Sequence, residues 1–156
     1  MKVLVLYYTK TGHTLEAVSA IAEGIRSAGS EVDLVDVKSF SAEKLADYNA
    51  LIVGSPCWTG SLRKNEGLAF PLKNLLVALP PKILNGKRCG GISVHSGAGG
   101  NVTIANIGTI LREKGSESYI PGPVSKAGVP FSLWKGPSVS DKDRGILKAY
   151  GSNFVQ

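Results

Sequence analysis

The 156-residue sequence is poor in the residues that build metal centres and disulfide frameworks. It has two cysteines and two histidines, scattered as His13, Cys57, Cys89 and His95. That spacing matches no metal-ligand pattern, no disulfide framework and no CxxC pair. No apolar run approaches the ~20 residues that span a bilayer. The N-terminus runs straight into a strand and lacks a signal-peptide pattern, so a cytoplasmic protein without membrane insertion is expected. Zinc fingers, RNA-binding signatures and basic helices are missing too, and nucleic acid is not an expected partner. There are no internal repeats and no linker, so residues 1–156 are expected to form one domain.

What is present is a core. Apolar residues make up 43% of the chain, enough to argue against disorder. The formal net charge of +6 is uneven. Residues 1–50 hold five Lys/Arg and seven Asp/Glu, whereas residues 51–156 hold thirteen and five. A basic surface attracts anionic small molecules or acidic proteins, although most such lysines are simply solvated.

The stretch that organises the rest is Met1 to Thr14. Lys2 to Tyr8 is apolar, β-branched or aromatic almost throughout, which predicts a strand buried on both faces. Thr9-Lys10-Thr11-Gly12-His13-Thr14 breaks that run, and from Leu15 an apolar stripe of helical period begins. Backbone N–H groups and the positive end of the helix dipole meet in such a turn. Hydroxyls of Thr9, Thr11 and Thr14, helped by the backbones of Lys10, Gly12 and His13, suit a phosphate. His13 would either act on the phosphate through charge or be an ordinary loop residue.

Strands and helices then alternate. Glu31–Val37 predicts a second strand, Ser41–Tyr48 a short helix with Ser41 as N-cap, and Ala50–Val53 a third strand. A helix is predicted from Pro71 to Leu79, a fourth strand over Cys89–Val94 and a helix over Val102–Lys114. Glu117–Ile120 predicts a fifth strand cut short by Pro121, and residues 122–137 read as irregular. Trp134 and Phe131 in that segment are expected to cover the sheet end. Ser140 opens a last helix. Five strands alternating with helices predict an α/β fold, an open doubly wound parallel sheet with helices on both faces. Ligands of such sheets bind beyond the carboxyl ends of the strands, where strand order reverses. The loops at 9–14, 55–66 and 95–101 leave those ends.

In these three loops the sequence resembles the flavodoxins. Tyr8-Thr9-Lys10-Thr11-Gly12-His13-Thr14 resembles their FMN-phosphate loop. Gly54-Ser55-Pro56-Cys57-Trp58-Thr59-Gly60 resembles the second loop, which sets an aromatic ring against the isoalloxazine. Ser96-Gly97-Ala98-Gly99-Gly100 resembles the third, at the other side and edge of the flavin. The resemblance implies five parallel strands in the order 2-1-3-4-5 and an FMN cofactor. It implies that Trp58 stacks on the ring. Cys57 either contacts the flavin through its backbone or is a reactive thiol, and Cys89 is expected in the core. His95 either reaches the flavin edge or is a half-buried histidine at a strand end.

Ser61–Phe70 is longer than in most flavodoxins and carries Arg63 and Lys64, where the family keeps acidic surface. A basic loop there would favour an acidic partner protein or the phosphates of NAD(P)H. Three functions are open at this point. The first is a one-electron carrier between redox proteins, expected to be monomeric. The second is an FMN-dependent NAD(P)H reductase acting on quinones or flavins, often dimeric. The third is a binding module that has lost its cofactor.

Overall fold

β1 (Lys2–Tyr7) is the middle of the molecule. Val3, Val5 and Leu6 are fully buried and Leu4 nearly so. Alternation along the strand sends Val3 and Val5 into one core and Leu4 and Leu6 into another. A computed structural model describes residues 1–58, 67–129 and 136–156. Among these, β1 is joined by β2 (Glu31–Asp36), β3 (Ala50–Pro56), β4 (Arg88–His95) and β5 (Ser118–Lys126). They make one sheet in the order β2-β1-β3-β4-β5, parallel at every pairing, as the flavodoxin resemblance implied.

Helices α1 (His13–Ser27) and α4 (Asp141–Phe154) cover one face. Helices α2 (Phe70–Ala78) and α3 (Gly100–Glu113) cover the other. Ala17, Val18 and Ile21 of α1 and Leu147 and Phe154 of α4 pack with Val3, Val5, Ile52 and Ile92. Leu72, Leu76, Ile107 and Leu111 pack with Leu4, Leu6, Leu51, Val53 and Cys89, so Cys89 is indeed core. α1 and α4 cross closely. A methyl group at Gly24 would run into the backbone carbonyl of Lys148, and one at Gly151 into that of Ile21.

The short helix expected over Ser41–Tyr48 is present as a 3₁₀ segment over Ala42–Asp47, with Ser41 at the N-cap position but making no side-chain bond. Six residues give little return on the cost of nucleating an α-helix, and only Leu45 is buried to anchor them. One predicted element comes out differently. β5 does not stop at Pro121 but runs on to Lys126, taking in part of the stretch read as irregular. It tolerates Pro121 and Pro123 because it is the last strand of the sheet, with no neighbour on one side to receive a donor. Its register shifts between Gly91 and Ser93 of β4, which absorbs an extra residue. Phe131 and Trp134 lie outside the described residues.

Tyr48 ties the 3₁₀ segment to the sheet. Its hydroxyl donates to Asp33 Oδ2 at 2.8 Å, and Lys2 Nζ lies 4.8 Å from its ring centroid. Burial and the Asp33 bond push its phenol from 10.0 up to about 12. The folded state thus favours the neutral phenol. That stabilisation is complete below pH 10.0 and is lost as pH rises through about 12. Tyr48→Phe is expected to cost about 1 kcal/mol at neutral pH and to flatten the alkaline decline, read by urea denaturation at a series of pH values. Some decline will remain, because burial also raises Tyr119 and Tyr150.

Candidate functional site

Strand order reverses between β1 and β3, so the loops after β1, β3 and β4 open side by side at the carboxyl edge of the sheet. Backbone bonds carry the sheet into these loops. The Tyr8 N–H donates to Gly54 O at 3.2 Å, and the Cys57 N–H to Val94 O at 2.8 Å.

In the first loop the Gly12 N–H donates to Thr9 Oγ1 at 3.0 Å, closing a tight hydroxyl-backed turn. Gly12 then caps α1 in the left-handed region, at φ 94°, where residues with a Cβ are disfavoured. The first N–H groups of a helix have no intrahelical acceptor. Thr9 takes the one at Gly12, and those that follow, Thr14 and Leu15 among them, end at the crevice. Thr9 and Thr11 are half-buried and Lys10 is exposed. Thr14 is buried, with its methyl packed toward β3, 3.5 Å from where a Cβ on Gly54 would sit. His13 is buried as well. Its Nδ1 lies 3.7 Å from Glu16 Oε1, while Glu16 Oε2 accepts the Val139 N–H at 3.1 Å and lies 3.9 Å from the Arg144 guanidinium. The His13 ring therefore belongs to the join between α1 and the segment leading into α4.

The second loop is zipped at its base. Ser55, fully buried, accepts the Ala69 N–H at 3.1 Å and donates to Pro56 O at 2.8 Å. Cys57 and Leu68 form an antiparallel bridge, and the Trp58 N–H donates to Gly67 O at 2.7 Å. These bonds fix Trp58 at the crevice, half-buried. Its ring meets Tyr8 at 5.4 Å and 88° and Phe70 at 6.0 Å and 69°. Lys10 Nζ lies 6.0 Å from its centroid, within cation–π range. Thr59, Gly60, Arg63 and Lys64 lie outside the described residues.

The third loop begins at His95, whose C=O accepts the Ala127 N–H at 3.0 Å. Its ring packs on the start of α3, Cδ2 being 3.3 Å from where a Cβ on Gly100 would sit. His95 Nδ1 is buried and has no hydrogen-bond partner among the described residues. Ser96 is half-buried, Gly97 is exposed and Gly100 is buried. Gly99 caps α3 at φ 94°, as Gly12 caps α1. Cys57 Sγ donates to Ala98 O at 3.4 Å, which joins the second loop to the third.

The structure thus brings the three loops together, the first to the second through Tyr8, Lys10 and Trp58, and the second to the third through Cys57. Ser55 and His13 turn into the protein and support loops. Sequence reasoning passed over Tyr8 and Phe70 as contacts of Trp58. Their aromatic character beside two of the loops was the available signal, but Tyr8 read as strand core and Phe70 as a loop end. Among the described residues no group of three or more His, Cys, Asp or Glu is placed to hold a metal. No described helix is long and apolar enough to cross a membrane.

The family model for the flavodoxin domain matches residues 4–67, which include the first loop and Trp58. An NAD(P)H dehydrogenase (quinone) of Caulobacter vibrioides is 36% identical over 89 residues, covering 44% of this chain and 45% of the relative. One of Chromohalobacter salexigens is 28% identical over 166 residues, covering 91% of this chain and 76% of the relative. The chain thus spans about half the length of the Caulobacter relative and of most others it matches. Oxidised flavodoxin 1 from Bacillus cereus superposes with a TM-score of 0.77 at 20% identity, covering 99% of this chain and 97% of that one. An archaeal flavodoxin superposes at 0.75 and 21% identity, covering 99% and 96%. Strand order and the superposed structures agree on a flavodoxin-like fold, and residues 4–67 match the flavodoxin domain.

Proposed function

We propose that residues 1–156 act as one FMN-binding domain and that the protein is an electron carrier between redox partners. The observation that carries the reading is the meeting, at one sheet edge, of a Gly12-capped helix start with a half-buried Trp58. One end offers backbone N–H groups and the Thr9, Thr11 and Thr14 hydroxyls to a phosphate. Pro56, Cys57 and the Trp58 ring would line the planar group. The other end has His95 Nδ1, buried without a described partner, beside Ser96, Gly97, Gly99 and Gly100. A planar group with a phosphate tail fits that donor set. When bound, FMN supplies the redox chemistry, and the protein supplies binding, orientation and local charge. The thirteen Lys/Arg against five Asp/Glu over residues 51–156 suit an acidic docking surface on the partner.

A carrier role is supported by the likeness to the Bacillus cereus flavodoxin, of which this chain covers 97%. The names of the sequence relatives support a second reading, hydride transfer from NAD(P)H to a quinone. The separating experiment is an FMN titration followed by steady-state NAD(P)H oxidation with a quinone acceptor. A carrier binds FMN and gives no turnover above free FMN. Sustained turnover overturns the carrier reading, and failure to bind FMN overturns both. Thr11→Val, which removes a phosphate donor without changing side-chain shape, is expected to weaken FMN binding about tenfold or more, the worth of one charge-assisted hydrogen bond. Isothermal titration calorimetry reads this directly, and unchanged affinity would remove Thr11 from the phosphate contacts.

A further inference from the structure

Lys10 is the one charged side chain among the described residues of the three loops. A lysine inside a phosphate-binding turn is expected to serve the phosphate. Its ammonium lies instead 6.0 Å from the centroid of the Trp58 ring. The contact joins two well-fixed pieces. The Thr9–Gly12 bond sets the turn that carries Lys10, and the bond to Gly67 together with the Tyr8 and Phe70 rings sets Trp58. A planar ligand stacked at Trp58 would lie near this charge, and a unit charge at such range is felt even through solvent.

We infer that Lys10 acts on the ring end of the crevice, not on the phosphate end, and makes the site bind the reduced, anionic flavin ring more tightly relative to the oxidised, neutral one. The inference rests on the FMN reading above. Binding two redox forms with different affinities is the same thing as shifting the potential between them. A phosphate contact, by contrast, is equal in both forms and leaves the potential where it was. This difference separates the two roles of Lys10 cleanly.

The test is the two-electron midpoint potential of bound FMN in the wild type, Lys10→Gln and Lys10→Arg, with the affinity for oxidised FMN measured alongside. Lys10 is exposed, so these substitutions leave the fold intact. Lys10→Gln is expected to reduce the preference for reduced flavin about tenfold, a fall of about 30 mV for a two-electron couple. Lys10→Arg should keep the wild-type potential, and added salt should shrink the gap between wild type and Lys10→Gln. An unchanged potential in Lys10→Gln overturns the inference. If oxidised FMN then binds more weakly, Lys10 serves the phosphate; if it binds as before, Lys10 is a solvated lysine. A wild type that binds no FMN fails at an earlier step and overturns the FMN reading itself.

Discussion

A Gly12→Val protein is expected to bind FMN about a hundredfold more weakly than the wild type, while keeping its fold. Gly12 sits at φ 94°, and a β-branched residue held there is strained by about 1–3 kcal/mol. Space is not the obstacle, since nothing lies within 4 Å of where a Cβ would be. The loop escapes the strain by changing its backbone, and the change breaks the Gly12–Thr9 bond that shapes the turn. Losing two charge-assisted hydrogen bonds to the phosphate at ~1.5 kcal/mol each gives the hundredfold. Gly12→Asn is the control, because asparagine visits the left-handed region readily; it should stay within about fivefold of the wild type. Equal losses in both variants would show that the side chain, not the backbone angle, does the damage. Calorimetric titration with FMN distinguishes these results.

The largest effect on stability is expected at the crossing of α1 and α4. Gly24→Leu puts a side chain where the Lys148 carbonyl stands, and the obstruction is backbone that no rotamer change relieves. The helices must separate, loosening Ile21, Ile25, Leu147 and Phe154 in the core they share. The cost is about 3 kcal/mol, the upper part of the range for overpacking and a large share of an ordinary domain's margin. Gly151→Ala acts from the other helix against the Ile21 carbonyl. It should cost about 2 kcal/mol despite the better helix propensity of alanine. Gly145 is the internal control, an exposed glycine in α4 with nothing within 4 Å. Gly145→Ala should stabilise by about 0.5–1 kcal/mol. Urea denaturation of the three variants tests the scheme, and a Gly24→Leu midpoint equal to that of the wild type would sink it.

The sheet was legible because its residues obey two simple periods. Val3 to Leu6 and Leu51 to Val53 are continuous apolar runs, and in the folded chain they are buried on both faces. The break at Gly12 was equally plain as the junction of strand and helix, and Gly12 is indeed the N-cap of α1. β5 was misread because proline carries a strong local signal against a strand, and only the strand's place at the edge cancels it. That place is a tertiary fact. The segment at 42–47 was legible as a short helix, but not as a 3₁₀ one, because its length and burial, not its composition, set that. His13 and Ser55 lie in the right loops, yet their side chains face Glu16 and Ala69. Spacing identifies a loop but not which way each side chain turns within it. The meeting of Lys10 with Trp58, 48 residues apart in sequence, has no local signature.

The two edges of the sheet also bear on how this chain behaves at high concentration. A bare edge strand is a template on which another chain can add itself, the first step toward fibrous aggregates. β5 presents Pro121 and Pro123, which have no N–H to offer, and its register shift breaks the regular spacing an incoming strand would need. β2, at the opposite edge, carries Glu31, Asp33 and Asp36, whose charges repel a second copy of the same strand. Copies of the folded protein are thereby kept from extending one another's sheets at either side.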